Sequence, residues 1–143
     1  MRFLTLVVFA GLCFAQSPSY HPFASAKQIM AGAQKPAMDG LMAMQKAGGP
    51  KDDKEWAQAE ANAAVLAETA QLLLLGTRPK DQDVWIKSSQ RLETAAVDSS
   101  KAAAEKNMQA WAGSLKAIGG ACRSCHDVHR KKPGAPGGPP AQN

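Results

Sequence analysis

Apolar positions along this chain recur at three- and four-residue steps in four successive stretches, the spacing of helices that each bury one face. The first runs from about Phe23 to Ala47, with Phe23, Ile29 or Met30, Ala33, Ala37, Leu41 and Met44 on one stripe; Gly48, Gly49 and Pro50 end it. Pro36, flanked by Gly32 and Gly40, predicts a kink or break in this helix. The second starts at Asp52 or Asp53, either of which can cap it, carries Trp56, Ala59, Ala63, Leu66, Ala70 and Leu73, and closes at Gly76 and Pro79. The third opens near Asp81 or Asp83, turns Trp85, Ile86, Ser89, Leu92, Ala96 and Ala103 inward, and fades in the polar run Asp98 to Lys101. The fourth spans about Lys106 to Lys132, with Met108, Trp111, Leu115, Ile118, Cys122, Cys125 and His129 on one stripe and His126 beside it.

Composition agrees with that pattern. Ala, Leu, Met, Gln, Glu and Lys dominate beyond the first residues, and strand-forming residues are sparse. Four helices of similar length on short connections predict an all-α fold, an up-down-up-down (antiparallel) four-helix bundle. Ahead of it, Arg2 followed by the apolar run Phe3 to Phe14 and small Ala15 reads as a signal peptide over 1–15. That run is shorter than the roughly 20 residues a spanning helix needs. Lipid anchoring through Cys13 is not expected, because Leu12 before it is larger than such processing prefers. Residues 16–22 then form a flexible N-terminal arm, 23–132 one domain, and 133–143 a disordered tail rich in Pro and Gly.

Net charge is +5 for the whole chain. Its cations are dispersed apart from a small group at Arg130, Lys131 and Lys132, so nucleic acid is a poor fit as a partner. No paired carboxylates, phosphate loop or Ser and His arrangement suggests hydrolysis or group transfer, and no enzyme activity of that kind is expected.

Chemistry enters with Cys122-Arg123-Ser124-Cys125-His126. Two thiols separated by two residues can each add to one vinyl group of the same porphyrin, and the next residue is then carried under the iron. The motif therefore predicts one covalent haem c on the C-terminal helix, with Cys122 and Cys125 as its thioether anchors and His126 as proximal iron ligand. Zinc would need four ligands in a tetrahedron, and Cys122, Cys125, His126 and His129 all lie on one helical pattern. A thioredoxin-like pair would need alternating strands and helices, and a disulfide across so short a loop would stabilise little. In an up-down-up-down bundle the fourth helix ends beside the beginning of the first, so Met30 is the best-placed methionine for the second axial position, with Met38 roughly 12 Å further along.

The stretch Gly119-Gly120-Ala121-Cys122-Arg123-Ser124-Cys125-His126-Asp127-Val128-His129-Arg130 in a four-helix chain resembles the class II c-type cytochromes, the cytochrome c prime family, over about Ala24 to Lys132. Arg130 matches the family's arginine after the motif, while His129 stands where Phe or Tyr is usual. Val84-Trp85 and Lys27-Gln28-Ile29-Met30 are also similar, the latter to the low-spin subgroup in which a methionine ligates the iron. The resemblance implies a periplasmic monohaem c-type cytochrome that carries single electrons between periplasmic or membrane-bound redox partner proteins, ligated by His126 and Met30. High-spin members instead leave the iron five-coordinate and bind small gases such as NO or CO, the alternative function. Such bundles often pair through outer helix faces, so a homodimer is one expected state. Lys27 and Arg130 are candidates to neutralise haem propionates. His129 is expected as a packing substitute for the aromatic, Trp56, Trp85 and Trp111 as core, and His21 as part of the arm.

Overall fold

The computed structural model describes residues 20–130, and these are helical with no strand among them. The expected signal peptide with Cys13, most of the arm, and the tail lie outside the described residues, as do Lys131 and Lys132. Four helices account for the fold. The first is continuous through α1 (Ala26–Ile29), a π turn (Met30–Gln34) and α2 (Lys35–Lys46); it is followed by α3 (Asp53–Leu72), α4 (Val84–Ala104) and α5 (Met108–His129). No helix among the described residues is long and apolar enough to cross a membrane.

The helix starts obey local chemistry. Ser25 accepts from the Gln28 amide while Gln28 reaches back to the Ser25 backbone, a capping box that starts the first helix at Ala26. Phe23 therefore precedes the helix and is fully exposed, which corrects its expected place on the buried stripe. Asp52 caps α3 through the Glu55 amide, and Asn107 caps α5 through the Ala110 amide.

Pro36 does not break the first helix. Widening occurs one turn earlier, where the Lys35 amide donates to the Met30 carbonyl, and Pro36 stands in the first turn of α2. Proline lacks an N–H and its ring crowds the carbonyl four residues back; a π turn placed over that carbonyl gives the ring room without ending the helix. The third helix likewise runs unbroken through Asp98 to Lys101, and Ser99 within that run is fully buried. α5 ends at His129 with Arg130 as its cap, a little before the expected end.

The main core joins Leu41, Leu66, Leu92, Trp111, Leu115 and Ile118 across all four helices. Ala59, Ala63, Ala70 and Ala96 have no exposed surface at all, so small side chains let α3 and α4 pack backbone to backbone. Trp56 and Trp111 meet edge to face, centroids 5.9 Å apart. A second, smaller cluster holds Ile29, Leu73, Trp85 and Cys125. Close backbone approach is extensive between α4 and both α3 and α5, and is present between α2 and α3; nothing of that extent joins the first helix to α5.

Candidate haem site

The last two turns of α5 carry the motif residues, and of these Cys125 joins the smaller cluster. Cys125 is buried within it, packed with Trp85, and Cys122, half-buried, packs against the main core instead. Both thiols are free. On a helix of 3.6 residues per turn, His126 is rotated about 40° from Cys122 on one side and Cys125 about 60° on the other. Cys125 thus takes the side facing α4, and His126, half-buried, takes the opposite side of Cys122. Met30 is half-buried and packs against the cluster that holds Cys125. Three of the four expected site residues therefore share one helix end, and the fourth packs on the smaller cluster that holds Cys125.

Electrostatics favour uncharged forms of all three motif groups. Burial pushes the Cys122 thiol up, and burial, then Cys122 and Asp81, push Cys125 up. A dithiol couple of the thioredoxin kind needs a depressed thiol, the opposite of what surrounds these two. Burial first, then Arg130, holds the His126 imidazole below its ordinary value despite Asp127, so its ring nitrogen keeps a lone pair near neutral pH.

His129 is more enclosed than a substitute on the rim would be. Its ring meets Trp85 edge to face at 5.4 Å, and its enclosed Nε2 lies 2.7 Å from Asp81 Oδ2 without hydrogen-bond alignment. Asp81 also accepts from the Trp85 and Asp83 amides, and these bonds, with His129, hold its carboxyl below the usual carboxylate range. Trp85 in turn donates from Nε1 to the Leu73 carbonyl at 2.9 Å. The motif end of α5 is thereby tied to the loop before α4 and to the end of α3.

Arg78, in the same loop, is buried and donates to the Ala24 and Leu72 carbonyls and to the Tyr20 hydroxyl. Tyr20 and Pro22 belong to the stretch expected as a flexible arm, yet Tyr20 also stacks on the Arg78 guanidinium, and Pro22 fills the space beside Gly76. Lys27, Arg130 and His21 are exposed.

These residues fit a c-type haem. The donor set is two free thiols with an uncharged imidazole one residue on, and Gly119, on the His126 side of α5, leaves space in which an added side chain would meet nothing within 4 Å. A separate groove of about 640 Å³ between α4 and α5 is lined by Arg91, Thr94, Ala117, Gly120 and Ser124, behind the motif, and none of Met30, Cys122, Cys125 and His126 borders it. Sequence reasoning passed over Asp81 as a partner for His129, Arg78, and the buried Gln34. Only Gln34 carried a signal, a polar residue inside an apolar stripe. Compared with protein-family models, curated proteins and solved structures, the chain matches none.

Proposed function

We propose that this protein is an exported, periplasmic monohaem c-type cytochrome that carries single electrons, built as an up-down-up-down bundle of the class II type. Cys122 and Cys125 fix the haem, His126 is its proximal ligand and Met30 its distal one. The observation that carries the reading is the free thiol pair followed by His126 on one helix end, beside the cluster against which Met30 packs. The topology is supported by cross-links between neighbouring helices: an added Cβ on Gly40 would run into Asn62, Gln71 donates to Glu93, and Trp85 at the start of α4 meets His129 at the end of α5.

Bound there, the haem iron supplies a one-electron couple whose potential a methionine and histidine pair raises. The chain's residues do the rest. Cys122 and Cys125, which pack on different clusters, would hold the porphyrin to α5 at two points. His126 presents an uncharged ring nitrogen, and Asp81, Trp85 and His129 brace the turn that carries it. Ile29, Leu73 and Trp85 exclude water on the Met30 side. Exposed Lys27, Lys80, Arg123 and Arg130 near this end favour an acidic redox partner.

Optical and EPR spectra of the protein, expressed with a haem attachment system, test the reading. A low-spin spectrum indifferent to CO is expected. Met30→Ala should convert the ferric protein to high spin and create CO binding while the covalent haem stays in place. A high-spin, CO-binding wild type would move the function to gas binding, and absence of covalent haem would sink both.

A further inference from the structure

One polar side chain interrupts the buried stripe of the first helix. Gln34 is only 9% exposed, and its Nε2 is enclosed with no hydrogen-bond partner. It closes the π turn that Met30 opens. The residues that follow it on the stripe, Ala37 and Leu41, belong to the main core, on which Cys122 also packs. Leaving an amide buried and unpaired is costly, and folded proteins keep few such groups. A group that reached this level of the bundle would give that N–H a partner.

Position narrows what it is. Counting at equal rise from the Gly40–Asn62, Gln71–Glu93 and Trp85–His129 pairs brings Gln34 level with Ile118 of α5. Gly119 is the next residue, and a Cβ added there would meet nothing within 4 Å. Met30 lies one turn nearer the end, level with the haem motif. An orphaned donor and an open volume thus share one level on the Met30 side of the site. A haem propionate is a poor acceptor for it, because an anion buried against a neutral amide would lack a countercharge.

We propose that Gln34 is a distal hydrogen-bond donor, whose Nε2 donates to a diatomic ligand that enters when Met30 is displaced. The amide selects for ligands that take up negative charge at their outer atom, and so favours NO over CO. This rests on the haem reading above. It adds a ligand-discriminating residue to a pocket that Met30 otherwise closes.

The test compares Met30→Ala with the double variant Met30→Ala/Gln34→Leu, both carrying covalent haem, by the vibrational spectrum of the CO adduct and by the NO-to-CO affinity ratio. Leucine removes the N–H without offering the iron a new ligand, and Gln34→Ala serves where that double variant does not fold. The expected result is a C–O stretch at higher frequency in the double variant and a preference for NO reduced about fivefold, the ratio one neutral hydrogen bond is worth. An unchanged stretch and ratio would overturn the proposal, leaving a buried water as partner of Gln34 and the electron-carrier reading intact. A Met30→Ala protein that holds haem and refuses CO would overturn both.

Discussion

Arg78 offers the sharpest test of how the candidate haem end is held. Replacing it with methionine keeps most of its apolar stem and removes three donated hydrogen bonds. Two end on the carbonyls of Ala24 and Leu72, each at 2.9 Å, and the third on the Tyr20 hydroxyl at 3.1 Å. Tyr20 is half exposed, so its bond is replaced by water at little cost. Bonds from a charged donor are worth about 1.5–3 kcal/mol each, so the lower figure for the two carbonyls gives about 3 kcal/mol. Among the described residues no carboxylate lies in ion-pair range of Arg78, so the variant also sheds a buried, uncompensated charge. That relief brings the net loss to about 2 kcal/mol. For a domain of this size the loss corresponds to a fall in Tm of about 8–16 °C. Thermal unfolding followed by circular dichroism reads it, and limited proteolysis should show new cleavage near Tyr20. Arg78→Lys should recover little, since one ammonium cannot span both carbonyls. A fall in Tm under about 2 °C would refute the reasoning and make the guanidinium incidental to the docking of residues 20–24.

Two further outcomes bear on the site and its bracing. Gly119→Leu should leave the haem-free protein folded, because nothing lies within 4 Å of the added Cβ, and should lower covalent haem incorporation several-fold by filling the space proposed for the porphyrin; equal haem content, read by absorbance per polypeptide, would place the haem elsewhere. Asp81 has its carboxyl depressed chiefly by the Trp85 amide, so its contribution to stability is full above the ordinary carboxylate value of 3.8 and is lost as pH falls through its lower folded value. Asp81→Asn removes that titration, and a plot of Tm against pH should lose part of its acid limb; superimposable limbs would show that Asp81 does not couple to folding.

The four helices were legible because each carries a period in its apolar residues, and their ends were legible only in part. Asp52, one of the two expected caps, caps α3, whereas Asp83 makes no side-chain cap bond at the start of α4. Phe23 misled because it falls in phase with Met30 by count, while Ser25 and Gln28 start the helix after it. Pro36 was correctly singled out as disturbing the helix, but whether a proline kinks, ends or widens a helix depends on packing against α3, which no local pattern encodes. At the candidate site, Cys122, Cys125 and His126 are adjacent in sequence and needed no fold to be found. Asp81 and Arg78 act through residues 48 or more positions away, on His129 and on Ala24 and Tyr20, and their roles became visible only once the chain was folded.

The two hydrophobic clusters carry a consequence for the order in which this molecule matures. Four buried residues make up the smaller one, too few to hold an end of the protein shut by themselves. Cys125 sits in that cluster and Cys122 leans on the larger, so a single rigid group bonded to both sulfurs would act as a rivet between the two. Before such a bond formed, an opening of the small end would admit a bulky planar molecule; afterwards the same opening would have to lift the larger core as well. Maturation would then be a one-way latch, easy to enter and hard to leave, set by nothing more than the two residues of helix, Arg123 and Ser124, between the two cysteines.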